Sequence, residues 1–403
     1  MASPSPARAN ATHGAPEYVV GVMRTVVEAT DDAPFVALVD AAIERVEKDL
    51  SDDLGLRVEV FAFEGPHLTP EAGAYAPLDF LRIGLGEKIE RGVNFLLIVT
   101  EVDLAASTLS FALALPSQLT NVGVISTKRL DPAFWGEDAE SDQTADRLAA
   151  LMLHTLGHLL NLRHHPDATN VMFDFGDVEA LDKMHAVTPT QREQIVRNLP
   201  IEARERVSRK GRGRWSFVVR ALVLNLRGIG AAVVRANPFR LLARLPTMLT
   251  AALSVVIVLF FSPEMWDVAS TVDFYQLVLF AFLAVFGATF ALYRTFAFGA
   301  VLGRDRLLSE SAVVTEAATV LSLFLTVALL YAVFAGALYT GIVTIFPRKL
   351  METWPTVDPA VRTLDHLKLA LFIGGLGVLA GSLGGRADSR DLVRGVLFVD
   401  EES

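Results

Sequence analysis

The feature that most constrains the fold is the uneven distribution of apolar residues along the chain. Apolar residues make up 52% of the 403 residues, and the surplus lies after residue 244. A helix needs roughly 20 apolar residues to cross a bilayer. Four stretches come close to that length or exceed it, at about 245–261, 272–292, 312–346 and 367–383. We therefore expect a soluble first half and then an all-α transmembrane region of four helices, residues 245–388.

The loops between these stretches differ in charge. The segment before the first stretch is strongly basic, whereas loop 263–271 has two acidic residues and no Lys or Arg. The loop after the second stretch carries three arginines, Arg294, Arg304 and Arg306. Because positive charge collects on the cytoplasmic side, this pattern predicts an integral, multi-pass membrane protein with both termini in the cytoplasm. The soluble domain and the last segment, residues 389–403, should then both be cytoplasmic.

Residues 201–244 join the two halves and are rich in basic side chains. Eleven Lys or Arg residues fall between Arg204 and Arg244, with only two acidic residues in the whole segment. Apolar residues dominate from Trp215 onward, which is typical of an amphipathic segment lying on anionic lipid. Nucleic-acid binding is the competing interpretation. A net charge of −10 and the apolar stretch that follows argue against it, so we expect the anionic inner leaflet as partner and no nucleic acid.

The first half predicts a folded domain, residues 17–200, behind a disordered tail, residues 1–16. Its strands are expected near residues 18–27, 56–63, 94–100, 111–115 and 122–126, and its helices near 34–54, 77–91, 141–160 and 188–198. This order predicts an α/β (α+β) domain with helices packed on a mixed sheet. The chain has no cysteine, which excludes disulfides and thiolate metal sites.

Four of the eight histidines of the chain fall within residues 154–165 of this domain. His154 and His158 are four residues apart, so on a helix one divalent metal ion can meet both imidazoles. His164 can join them only if the helix stops after His158 and the chain turns back. Asn161 is suited to that turn, because Asn adopts the left-handed conformation more readily than most residues. Three neutral imidazoles and a water make an open tetrahedral Zn²⁺ site of the catalytic type.

The histidine spacing resembles the metzincin signature H-E-x-x-H-x-x-G-x-x-H, and the likeness continues downstream. Archaemetzincins, a metzincin subfamily, follow the third histidine with C-x-x-x-x-C-x-M and, seventeen residues later, C-x-x-C. In this chain the methionine of that pattern is Met172, and the resemblance implies that it lies beneath the metal as the Met-turn residue. The four cysteines, which hold a second zinc in the family, are replaced by His165, Asn170, Thr190 and Glu193.

Thr155 stands where the family has its catalytic Glu. In H-E-x-x-H enzymes that Glu is the general base that activates water. A threonine hydroxyl does not accept a proton near neutral pH, and losing a positioned base typically costs roughly a hundred- to ten-thousand-fold in rate. The resemblance therefore implies a membrane-anchored, zinc-binding metallopeptidase-like protein that hydrolyses or binds peptide segments, with proteolysis weak or lost. Four acidic residues near the site are candidates to replace the base or orient a histidine: Asp167, Asp174, Asp177 and Glu179.

Two alternative functions stay open. In one, the domain is a pseudopeptidase that binds an extended peptide or regulates a partner without cutting it. The resemblance then implies pairing with an edge strand between Thr108 and Ser126. In the other, the transmembrane helices form a small channel or transporter with a cytoplasmic zinc domain. Gly377 and Gly381 predict close packing of the fourth helix, and a homo-oligomer through that helix is one option.

Overall fold

The computed structural model describes residues 17–25, 33–53, 55–66, 77–105, 111–136, 142–203, 207–209, 214–243, 245–295, 307–346 and 362–384. The chain divides into two compact units, and the boundary between them in the sequence falls after residue 205. The tail predicted at residues 1–16 and the segment 389–403 lie outside the described residues.

A five-stranded mixed sheet forms the centre of the first unit. Its strands are β1 (Tyr18–Thr25), β2 (Val58–Glu64), β3 (Phe95–Thr100), β4 (Ala114–Ser117) and β5 (Val122–Ser126). They lie in the order β2-β1-β3-β5-β4. All neighbours are parallel except β4, which runs antiparallel to β5. The predicted mixed sheet is therefore confirmed.

β4 begins three residues later than predicted. Phe111 lies under the guanidinium group of Arg129, whose Cζ is 4.0 Å from the ring centroid. Ala112 pairs with Leu104 in an isolated bridge instead of with β5. The continuous ladder therefore starts only at Ala114.

Among the described residues, three α-helices pack on this sheet: α1 (Ala33–Lys48), α2 (Pro77–Arg91) and α3 (Gln143–Leu159). A fourth helix, α4 (Pro189–Glu202), joins the same hydrophobic core through Ile195 and Leu199. All six residues of β3 are buried, as expected of a central strand covered on both faces. α3 is almost entirely buried, so it is the helix most tightly enclosed by the core. Each Leu or Met side chain enclosed there contributes about 1.5–3 kcal/mol relative to exposure.

Arg147, which is 2% exposed, fixes α3 to the loops around it. Its guanidinium group donates to both carboxylate oxygens of Asp182 at 2.7 and 2.9 Å. A third N–H donates to the carbonyl oxygen of Leu130 at 3.1 Å. A guanidinium group tolerates burial when its donors are satisfied in this way.

The second unit is mostly helical. Its helices are α5 (Arg214–Leu224), α6 (Leu226–Ala236), α7 (Pro238–Ala243), α8 (Pro246–Phe260), α9 (Pro263–Thr271), α10 (Phe274–Thr295), α11 (Glu310–Thr344) and α12 (Arg362–Gly384). The described residues of this unit also include a short antiparallel ribbon of β6 (Val207–Arg209) and β7 (Leu307–Ser309), which was not foreseen from the sequence.

Three of these helices, α10, α11 and α12, are long and apolar enough to cross a membrane. Two bent helix pairs raise the number of candidate spans to as many as five. The first predicted stretch corresponds to α8, which is about 22 Å long and turns by 85° into α9. The other bent pair, with an angle of 67°, combines parts of α5 and α6.

α12 packs closely on α8 through glycine, as the small residues at positions 377 and 381 predicted. A Cβ atom on Gly377 would lie 2.3 Å from Cγ2 of Val256, and one on Gly381 would lie 2.7 Å from Cβ of Ala252. This glycine face is occupied within the chain, so the predicted oligomer would have to use another surface of α12.

Candidate metal centre

α3 places the first two histidines, and its C-terminal cap brings in the third. Asn161 adopts the predicted left-handed conformation, with φ of 62°. Its backbone N–H donates to the carbonyl oxygen of His158, and that of Leu162 donates to Gly157. These two bonds are the Schellman pattern that ends a helix and reverses the chain. The reversal returns His164 to the helix face that carries His154 and His158.

The three imidazoles converge through the same ring atom. Nε2 of His158 is 3.0 Å from Nε2 of His154 and 3.1 Å from Nε2 of His164. Ligands on one tetrahedral Zn²⁺ ion, at about 2.0–2.1 Å, would be about 3.3 Å apart. His154 and His158 are buried and His164 is half-buried, which leaves one open side. The described residues therefore fit a divalent metal at this point.

A backbone carbonyl group sets the tautomer of His154. Nδ1 of His154 lies 2.7 Å from the carbonyl oxygen of Val171. A carbonyl oxygen only accepts, so Nδ1 carries the hydrogen and Nε2 keeps its lone pair for a metal. Val171 could not be identified from the sequence, because its contribution comes from the backbone.

Met172 lies beside the helix turn between the first two histidines and is 1% exposed. A Cβ atom on Gly157 would be 2.2 Å from its sulfur, so the methionine reaches this place only because residue 157 is glycine. Sequence reasoning missed Gly157, although a glycine inside an amphipathic helix often signals such a contact.

Thr155 is fully buried and is held by its own helix. Its Oγ1 donates to the carbonyl oxygen of Leu151 at 2.7 Å. Its methyl group packs toward Gly123 of β5. The side chain at the position of the family's general base is thus engaged between helix and sheet.

One of the four acidic candidates, Asp174, lies near His164, one of the three converging histidines. Its Oδ1 is 3.9 Å from Nδ1 of His164, beyond hydrogen-bond distance, and its side chain is 77% exposed. Asp167 accepts hydrogen bonds from the backbone N–H and the hydroxyl of Thr169, which hold its pKa below the ordinary value. Asp177 accepts from the N–H of Ala180 and caps a short 3₁₀ helix. Glu179 is exposed.

The positions of the family's four cysteines are used differently. Thr190 and Glu193 are exposed, and Nδ1 of His165 accepts from the N–H of Asp167. Asn170 is buried and bonded to Gln191. Among the described residues, the group of potential metal ligands is His154, His158 and His164.

A mixed sheet, an active-site helix carrying two histidines, a third histidine on the returning chain and a methionine beside them define a metzincin-like domain. The comparisons with known proteins give a narrower resemblance. The chain is 29% identical over 104 residues to archaemetzincin of Thermococcus kodakarensis, covering 26% of this chain and 56% of that protein. It is 38% identical over 74 residues to archaemetzincin of Pyrococcus furiosus, covering 18% of this chain and 38% of that protein. The first unit is archaemetzincin-like.

Two solved structures are matched at lower identity. The archaemetzincin of Methanopyrus kandleri is 22% identical with a TM-score of 0.35, and the match covers 45% of this chain and 96% of that one. A zinc-dependent peptidase of Methanocorpusculum labreanum is 19% identical with a TM-score of 0.33, over 43% and 99% of the two chains. No protein-family model matches the chain. The chain spans only about half, or less, of the length of the two archaemetzincins matched by sequence.

Proposed function

We propose that this chain is a membrane-anchored, archaemetzincin-like zinc protein that binds peptide segments and hydrolyses them slowly or not at all. One observation carries the proposal. Nε2 of His158 lies 3.0 and 3.1 Å from Nε2 of His154 and His164, and the residue that follows His154 is Thr155, whose hydroxyl is bonded to Leu151. The centre keeps the ligands of a catalytic site and lacks the base.

His154, His158 and His164 would hold the zinc ion, and the carbonyl group of Val171 would orient His154. Zinc bound there supplies Lewis acidity, which polarises a peptide carbonyl group and lowers the pKa of water. The chain adds little to proton transfer, because the hydroxyl of Thr155 donates to the helix and offers no base. We expect hydrolysis about a hundred- to ten-thousand-fold slower than with a positioned carboxylate.

A peptide would add its backbone to β4, the last strand of the sheet, by β-augmentation. All four residues of β4 are buried, so the edge must first be uncovered.

The membrane anchor is supported by the outward faces of the long helices. Three phenylalanines on α10 are each more than half exposed, Phe282, Phe286 and Phe290. Exposed apolar surface on this scale is unfavourable in water and matches lipid. Arg220, Arg227 and Arg240, on the helices that precede α8, are exposed and suit anionic headgroups. Together with the charge asymmetry of the loops, this supports our proposal that the metal domain lies on the cytoplasmic side of the membrane.

The zinc content of the 403-residue chain, purified in detergent, tests the metal centre. We expect about one zinc per chain, and none after the paired change His154→Ala, His158→Ala. A folded wild-type chain without zinc would contradict the proposal.

Replacing Thr155 tests the catalytic part. Thr155→Glu introduces the missing carboxylate, and Thr155→Gln is its uncharged control of similar size. We expect peptide cleavage to rise only in the Glu variant, while zinc content stays near one. Efficient cleavage by the wild type would show that another group acts as the base.

A second candidate function, a small channel or transporter, is favoured by one contact. The hydroxyl of Tyr293 on α10 donates to Oε1 of Glu316 on α11, and both residues lie in apolar helices. Ionisable residues within spans often mark a pathway. Ion flux into liposomes that contain the chain tests this function. A flux that falls in Glu316→Gln and persists in the control Phe286→Leu would support it. A flux no greater than that of empty liposomes would exclude it.

A further inference from the structure

A pair of buried side-chain amides connects α4 to the loop that follows the third histidine. Nδ2 of Asn170 donates to Oε1 of Gln191 at 2.8 Å, and Nε2 of Gln191 donates back to Oδ1 of Asn170 at 2.9 Å. The two residues are 1% and 7% exposed. Buried amides are costly when unsatisfied, and here each one completes the other.

The backbone fixes the orientation of both amides. Oδ1 of Asn170 also accepts from the backbone N–H of Met172 at 2.9 Å. Oε1 of Gln191 also accepts from the backbone N–H of Thr188 at 3.0 Å. Because a backbone N–H only donates, neither amide can exchange its oxygen and nitrogen without losing a bond.

Asn170 directly precedes Val171 and Met172, two residues that contact the histidine-bearing helix α3 at the metal centre. Val171, between Asn170 and Met172, turns its carbonyl oxygen to Nδ1 of His154 at 2.7 Å. Its backbone N–H donates to the carbonyl oxygen of Ala186 at 2.9 Å. The side chain of Met172 meets α3 at Gly157. A shift of Asn170 would therefore move both the group that orients His154 and the methionine.

We propose that Asn170 and Gln191 are positioning residues of the metal centre, which hold the Val171 carbonyl and Met172 in place for metal binding. The inference rests on the proposed zinc site but not on peptidase activity. Metal ligation depends on the partners that orient its ligands, and losing one typically weakens binding ten- to a hundredfold. Asn170 and Gln191 would act less directly than such partners, through the backbone of residues 170–172.

Two single-atom substitutions separate this role from the role of Gln191 in capping α4. Gln191→Glu keeps an oxygen for the N–H of Thr188 but loses the donor to Oδ1 of Asn170. Asn170→Asp keeps the acceptor for the N–H of Met172 but loses the donor to Gln191. Asn94→Asp is the matched control, since it removes an amide donor to the carbonyl oxygen of Ala203, elsewhere in the same unit.

The measurement is the zinc dissociation constant of the full chain in detergent, obtained against a competing chelator. The visible absorption of the Co²⁺-loaded chain reports ligand geometry independently. We expect Asn170→Asp and Gln191→Glu to bind zinc about ten- to a hundredfold more weakly and to change the Co²⁺ spectrum. Asn94→Asp should lower thermal stability but bind zinc within twofold of wild type.

A double-mutant cycle shows whether the two amides act as one unit. If they do, the Asn170→Ala, Gln191→Ala double variant should lose no more affinity than the weaker-binding single variant. If the wild type binds zinc and the changes Asn170→Asp and Gln191→Glu leave the affinity unchanged, this inference is overturned and the zinc site stands. A wild type that takes up no zinc would overturn the zinc site and, with it, the inference.

Discussion

Thr155 and Gly123 are in direct contact across the interface between α3 and β5. A Cβ atom built on Gly123 would lie 2.3 Å from Cγ2 of Thr155. Real side chains do not approach so closely, so the helix rests on the strand here only because residue 123 has no side chain. The position at which the family has its catalytic base has become part of the packing between helix and sheet.

Gly123→Ala should destabilise the first unit by about 1–3 kcal/mol, because the added methyl group overpacks this contact. Adding Thr155→Ser should restore part of the loss, since serine keeps a hydroxyl for Leu151 and lacks the methyl group. Hydrogen exchange of the α3 amides, read by mass spectrometry, measures both effects in the full chain. Equal protection of the α3 amides from exchange in Gly123→Ala and wild type would show that the contact adjusts with no loss of stability.

Gly157→Ala should weaken zinc binding more than it weakens the fold. The new methyl group would meet the sulfur of Met172 at 2.2 Å and push the methionine aside. Alanine also favours a helix over glycine by roughly 0.5–1 kcal/mol, which offsets part of the strain. Chelator competition gives the zinc affinity and thermal unfolding gives the stability. Unchanged affinity would mean that the place of Met172 is irrelevant to the metal.

The convergence of the histidines follows from local rules. Spacing of four residues puts His154 and His158 on one helix face, and Asn161 ends the helix with a left-handed residue that brings His164 back. Central strands such as β3 were also predicted, because a short apolar run with β-branched and aromatic residues favours a buried strand.

Contacts between distant residues were not predictable in this way. Asn170 and Gln191 pair across 21 positions, and neither side chain signals the other. The 85° turn between α8 and α9 is by contrast a local feature, and Nε1 of Trp266 donates to the carbonyl oxygen of Phe260 across it. The predicted stretch 245–261 ends within one residue of the end of α8, whereas residues 263–271, expected as a loop, form the helix α9.

Asp182 should make the first unit less stable in acid. Burial alone would raise its pKa, but hydrogen bonds from Arg147 and Gln143 outweigh burial and hold the pKa below the ordinary value. A carboxyl group whose pKa is lower in the folded state stabilises the fold above its unfolded pKa, and this contribution is lost as the pH falls through the folded pKa.

Asp182→Asn should therefore cost about 2 kcal/mol at neutral pH, between the values for exposed and buried ion pairs, because Asp182 is partly exposed. The difference from wild type should shrink below about pH 4, where the unfolded carboxyl group becomes protonated. Urea unfolding at several pH values, monitored by limited proteolysis of the first unit, measures this difference. A difference independent of pH would show that the charge of Asp182 adds nothing.

Gly381→Ala should loosen the contact between α12 and α8, whereas Gly336→Ala should not. A Cβ atom on Gly381 would meet Cβ of Ala252 at 2.7 Å and the backbone oxygen of Met248 at 2.9 Å, and a backbone atom cannot move aside as a side chain end can. Gly336 on α11 has open space around its Cβ position, so it controls for the helix preference of alanine. We expect a loss of about 1–3 kcal/mol for Gly381→Ala alone, measured as thermal unfolding in detergent. Equal stability of the two variants would mean that α8 and α12 are not packed closely at this glycine.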